Sequence, residues 1–183
     1  MPPKATRKML HQLAAELPQN SVITDTANKK QYCIGKQFAS GGFGRIYTCN
    51  EIGSKKELAI KVEPFGNGPL FTEVNVFVRI LKQDQIEEFL RRKKLNRVGV
   101  PQLISCGIHH HGGEKLRFLV MPMYAISLEN IREKSPKLAA FDVWKIARCM
   151  LESLDCITCS PVDRRVTRAG ASKSSIFPYR VQE

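Results

Sequence analysis

The chain has 183 residues, 43% hydrophobic and 25% charged, with a formal net charge of +12, which fits one globular domain with or without tails. No apolar run approaches the roughly 18 residues of a membrane span, and the charged start MPPKATRKML has no apolar signal core behind it, so an intracellular protein is expected. The positive charge favours acidic partners without choosing between nucleotides, nucleic acid and acidic proteins.

In chain order, residues 4–17 place Met9, Leu10, Leu13, Ala14 and Leu17 at helical spacing, which predicts a short N-terminal helix. Residues 18–30 are polar and read as loop. From residue 31 the pattern becomes that of strands: QYCIGKQF, RIYTCNEI and KKELAIKVE form a meander, with a glycine cluster between the first two and a turn at Gly53–Ser54 between the others. A helix is predicted from about residue 70, with Phe71, Val74, Phe77, Val78 and Leu81 on one face. DQIEEFLRRKKLNRVG continues as a second helical piece, with Glu87 and Glu88 placed four residues before Arg91 and Arg92. The basic run Arg91 to Lys94 reads best as a solvated helix face, although such a run also occurs in nuclear signals and anion-binding patches.

VPQLISCGIHH and EKLRFLVMPMY add two strands, for five antiparallel strands in all, with His109, His110, His111, Gly112 and Gly113 at the hairpin tip. A short helix comes next, near residues 127–134. Asp142 then caps an apolar helix over 143–154, whose Val143, Trp144, Ile146, Ala147, Met150, Leu151 and Leu154 cover more than one face, as in a deeply buried helix. Residues 156–183 lack periodicity and read as a disordered tail. The six cysteines read as reduced thiols; only Cys156 and Cys159 are spaced C-x-x-C, and without a second pair they do not make a structural zinc site. The histidines favour adventitious metal affinity over a biological site.

GGFG, residues 41–44, is by itself no more than a hairpin turn. Two later residues give it meaning: Lys61 on the third strand, then Glu73 in the first turn of the predicted helix. Separately, a strand lysine and an acid near a helix N-terminus are ordinary. In this order, glycine loop, lysine and helix glutamate match the small lobe of a protein kinase, where the lysine meets phosphates and the glutamate fixes the lysine.

The segment KVEPFGNGPLFTEV, residues 61–74, closely resembles the stretch between lysine and glutamate in the vaccinia-related kinase family, near the casein kinase 1 group. GVPQLISCG (99–107) and KLRFLVMPMYAISLE (115–129) are similar to it as well. The resemblance spans about residues 30–155 and implies an ATP-binding, Mg-dependent serine/threonine kinase acting on protein substrates, in nucleus or cytoplasm. It implies an α+β fold, with an extension (1–29), small lobe and hinge (30–124), the start of a helical large lobe (125–155) and a divergent tail (156–183). It places the phosphates under Phe38, Ala39, Ser40, Gly41, Gly42, Phe43 and Gly44, with Phe43 at the tip. Ile46 and Ala59 pack on the two faces of adenine, Lys61 contacts the α- and β-phosphates, and Glu73 holds Lys61. Met121 guards the back of the adenine pocket, and Pro122 to Tyr124 form the hinge. Ala39 replaces the first glycine of G-x-G-x-x-G, which alanine tolerates if φ is negative. Pro122 keeps its carbonyl while losing an N–H, and Tyr124 supplies the hinge donor.

The histidines stand at 11, 109, 110 and 111, ahead of any large-lobe catalytic loop, and the 183 residues contain no H-R-D, D-F-G or A-P-E. The base and magnesium ligands of phosphoryl transfer are therefore missing from them. The expectation is a truncated chain, inactive by itself, with an apolar helix at 143–154 left open to association. A non-catalytic regulator or binding module is the alternative. A dedicated nucleic-acid module is disfavoured because the basic residues are scattered, with no aromatic–basic platform.

Overall fold

The computed structural model describes residues 12–135 and 137–158. The chain divides into two compact units: residues up to Phe71 with Ile104–Met121, and Thr72–Leu103 with the residues from Pro122 onward.

The first unit is built on a six-stranded sheet of β1 (Val22–Asp25), β2 (Lys30–Gly41), β3 (Gly44–Glu51), β4 (Glu57–Pro64), β5 (Ser105–His111) and β6 (Glu114–Pro122). Its strand order is β1-β2-β3-β4-β6-β5, and the pairs β1/β2, β2/β3, β3/β4 and β5/β6 are antiparallel. Side chains alternate across each strand. One face carries Ile23, Tyr32, Ile34, Tyr47, Cys49, Leu58, Ile60, Val62, Leu116, Phe118 and Val120, all buried in a single core.

Two sequence expectations need correction here. The sheet has six strands, because VITD, inside the segment read as loop, forms β1 with Val22 opposite Cys33 and Asp25 opposite Lys30. Four residues are too few to show alternation; the strand is fixed by its pairing with β2, supported by the turn between them, where Asp25 Oδ1 accepts the N–H groups of Ala27 (2.9 Å) and Asn28 (3.2 Å). The N-terminal helix is also absent over residues 12–17, which form no helix; Met9 and Leu10 lie outside the described residues. The backbone of residues 12–17 is bonded to the sheet instead. Leu17 N–H donates to Tyr47 Oη (3.0 Å), Ala15 N–H to Glu114 Oε2 (3.1 Å), and Ala14 C=O accepts from Arg45 Nε (2.8 Å). A helix would have to give up these bonds. Ala14 and Leu17 join the core while Leu13 is exposed.

The expected hairpin tip is shorter than the His/Gly run. His109, His110 and His111 all belong to β5, the rings of His109 and His111 stack at 6.5 Å, and Gly112 and Gly113 make the turn at φ 56° and 82°.

Helix α1 (Pro69–Arg79) leads from the first unit into the second, followed there by α2 (Gln83–Lys93), α3 (Leu128–Lys134) and α4 (Ala140–Thr158). In α1 and just after it the buried residues are Leu70, Phe77, Ile80 and Leu81, while Phe71 and Val78, placed on the apolar face by the sequence, are exposed. In α2 the ion pair is Glu88–Arg91, at i,i+3 and not i,i+4, while Glu87 accepts from Gln83 Nε2 (2.8 Å). The basic run is largely engaged: Arg92 and Lys93 lie over the Phe89 ring, and Lys93 pairs with Asp155 at 2.7 Å. Ser127 caps α3 in a capping box with Asn130. Helix α4 outruns its prediction at both ends. Asp142 sits in its first turn, and residues 156–158 are helical, with Cys156 buried; the rest of the expected tail lies outside the described residues. Phe141, Trp144 and Leu151 of α4 are 69%, 75% and 66% exposed, so the helix is not deeply buried and has the open apolar patch expected of it.

Candidate functional site

The glycine cluster is a two-residue hairpin. Gly41 stands opposite Gly44, and Gly42 and Phe43 form the turn. The glycines are there for different reasons. A Cβ on Gly44 would lie 2.5 Å from Val62 O and 2.6 Å from Glu63 Cγ, so packing against β4 forbids any side chain. At Gly41 and Gly42 a Cβ would meet nothing within 4 Å. Packing does not require their bareness, and without a side chain at either position another group can approach the backbone closely. Among the described residues the left-handed non-glycine positions are Asn20, Lys29 and Lys94, so Ala39 fits its position without strain. Phe38, at the second of two register shifts in β2, is 48% exposed, and Ser40 is exposed.

Sheet register aligns the next candidates. Ala39 is opposite Ile46, and Ile46 opposite Lys61, giving a row across three strands on the face away from the core. Ala59 shares that face two residues before Lys61 on β4. Met121 on β6 alternates with the core residues Phe118 and Val120, which puts it on the same face. Pro122 ends β6, and Tyr124 is half-buried, its phenol pushed up by burial.

Lys61 also has a carboxylate neighbour that the sequence reading missed. Its Nζ lies 3.7 Å from Glu63 Oε1, with the two side chains 12% and 0% exposed. Glu63 Oε2 accepts the Leu70 N–H at 3.0 Å, at the start of α1. Glu63 also acts on Arg117: burial pushes that guanidinium down, and the carboxylate partly holds it up. The available signal was K-x-E on a strand, since period two puts i and i+2 on one face. Glu73 lies in α1, half-buried and beyond the first turn, which holds no acid. The helix-dipole explanation for it therefore lapses. Lys61 and Glu73 fall in different compact units.

This face can cradle a phosphate chain with backbone N–H groups and one lysine, beside the apolar Ile46, Ala59 and Met121. Among the described residues there is no group of three or more His, Cys, Asp or Glu able to hold a metal ion.

A sheet with a glycine hairpin in line with a strand lysine, followed by helices, is the protein-kinase fold: its small lobe and part of its large lobe. The structure matches that of vaccinia related kinase 3 with a TM-score of 0.68, over 78% of this chain and 42% of that one, at 24% identity. No protein-family model matches the chain. Among curated proteins it is 48% identical over 157 residues to Serine/threonine-protein kinase VRK1 of Caenorhabditis briggsae, covering 85% of this chain and 28% of that one. It is 35% identical to Nucleosomal histone kinase 1 of Drosophila melanogaster (81% and 25%) and 32% identical to Serine/threonine-protein kinase VRK2 of Homo sapiens (86% and 31%). The chain belongs to the vaccinia-related kinase family, and it spans 25% to 31% of the length of these relatives.

Proposed function

We propose that these residues form the ATP-binding side of a vaccinia-related serine/threonine protein kinase, and that the 183 residues by themselves do not transfer phosphate. The observation that supports the first part is the row Ala39–Ile46–Lys61 beside the open glycines 41 and 42. In this reading the loop N–H groups and Lys61 hold the phosphates, Ile46 and Ala59 sandwich adenine, and Met121 closes the pocket behind it. The Pro122 carbonyl and Tyr124 N–H contact the adenine edge. Glu63 holds the lysine from the strand and Glu73 from the helix. The second part rests on the missing H-R-D and D-F-G. Without a positioned base or metal, the electrostatic stabilisation on which phosphoryl transfer depends is lost.

The test uses purified chain, radiolabelled ATP, and casein or histone as acceptor; the name of the fly relative makes histone the first choice. No incorporation is expected, with weak ATP binding in titration that Lys61→Met weakens a further tenfold or so, about 1.4 kcal/mol. Incorporation that disappears in Lys61→Met would refute inactivity. A folded chain that binds no ATP would favour the second reading, a non-catalytic binding module. That reading draws on the exposed Phe141, Trp144 and Leu151 of α4.

A further inference from the structure

The most family-specific stretch of the sequence, KVEPFGNGPLFTEV, contains a residue to which the site above gives no role. Asn67 is 6% exposed, and its side-chain amide is engaged through both Nδ2 hydrogens and through Oδ1. Nδ2 donates to Gln12 O at 2.8 Å and to Phe43 O at 3.3 Å, while Oδ1 accepts the Gln12 N–H at 3.3 Å. The orientation is determined by its partners, since a flipped amide would set Oδ1 against two carbonyl oxygens. The Asn67 backbone is also held: its N–H donates to Pro64 O at 2.9 Å, and its C=O accepts from Arg117 at 3.2 Å. The Arg117 guanidinium lies over the Phe65 and Phe71 rings, 4.6 Å and 4.9 Å from their centroids, which braces the 65–71 segment on both sides of Asn67.

One buried amide thus joins two segments far apart in sequence. Gln12 begins the described N-terminal segment, which is fastened to the sheet through Ala14, Ala15 and Leu17. Phe43 is at the turn of the glycine hairpin, where packing does not restrain Gly41 and Gly42. A hairpin tip with such open glycines needs an external tie to hold one position, because ordering it costs conformational entropy. We propose that Asn67 is a positioning residue that ties the glycine-hairpin tip to the N-terminal segment, so that this segment sets the hairpin's readiness for nucleotide phosphates. The link to phosphates rests on the ATP-site reading above; the mechanical tie does not.

The test is hydrogen exchange by mass spectrometry on the nucleotide-free full chain, with Asn67→Asp as the main variant. Aspartate keeps the shape and the acceptor but loses both Nδ2 donor bonds. Exchange should accelerate at least several-fold in peptides covering 12–17 and 41–45 together, while β4 peptides covering 58–62 keep their protection. Deletion of residues 1–12 removes the other end of the tie and should accelerate 41–45 in the same way, which covers the case in which the Asn67→Asp variant does not fold. In ATP titration Asn67→Asp should raise Kd by about tenfold. Acceleration confined to 12–17, or none, overturns the tie. Coupled acceleration in a chain whose parent binds no ATP upholds the tie and overturns the ATP-site reading. Coupled acceleration with unchanged ATP affinity overturns the role in nucleotide binding.

Discussion

Ser105 Oγ donates a 2.6 Å hydrogen bond to Asp25 Oδ2, joining β5 to β1, the two ends of the strand order. Both residues are buried, at 2% and 1% exposure. The sheet is curled enough to bring its ends together, and this bond fastens them. A hydrogen bond to a charged acceptor contributes about 2 kcal/mol, and more is lost when the acceptor is left buried. Ser105→Ala should therefore lower the urea-unfolding free energy by about 2 kcal/mol. An unchanged midpoint would mean that the closure rests on apolar packing alone.

The same pair sets a pH dependence. Burial by itself would raise the Asp25 carboxyl, but hydrogen bonds from Ser105, Asn28 and Ala27 outweigh it and hold the group below its ordinary 3.8. A carboxyl depressed in the folded state contributes stability that is fully present above 3.8 and is lost as pH falls through the lower folded value. Stability should drop in that acid window, and Asp25→Asn should flatten the drop. Equal acid slopes in the two chains would count against the bonded carboxylate.

The hairpin glycines should separate by mutation. Gly44→Ala sets a methyl 2.5 Å from a β4 carbonyl and should cost roughly 1–3 kcal/mol, as overpacking does, seen as a lower Tm. Gly42→Ala meets nothing within 4 Å and should leave Tm within a degree or two. If Gly42→Ala nonetheless weakens ATP binding, the loss reports directly on phosphate access.

Glu63 should matter for stability before it matters for nucleotide. It is fully buried, beside Lys61 and bonded to the Leu70 N–H. Glu63→Ala should destabilise by about 3 kcal/mol, because it removes a buried carboxylate from the Leu70 N–H and from beside Lys61 and opens a cavity. Chemical denaturation measures this directly.

Cys49 should be inert. Burial pushes its thiol up to about 12, and the thiolate is the reactive form. A thiol-exchange reagent at pH 8 should label it only after denaturant is added. Labelling of the native chain at Cys49 would show that the core opens locally.

The sequence carried the order of the site clearly. Gly41 to Gly44, Lys61 and Glu73 succeed one another at spacings that strands and a helix can use, while the structure shows that Lys61 faces away from the buried Ile60 and Val62. Helices with strong 3.6-residue patterns were legible as well, to within a few residues at their ends. By itself, then, the sequence determined the kinase-type element order and the family. These are local properties, written in spacing and residue type.

Only the tertiary structure decided what depends on partners distant in the chain. VITD is a strand because β2 accepts it, and residues 12–17 are not helical because Tyr47, Glu114 and Arg45 claim their backbone. Phe71 is exposed beneath Arg117, and Glu63 becomes the lysine's neighbour by pairing geometry. Asn67 binds Gln12 from 55 residues away. A hydrogen bond or a buried charge gains its energy from the group opposite it, and the chain's linear order does not say which group that will be.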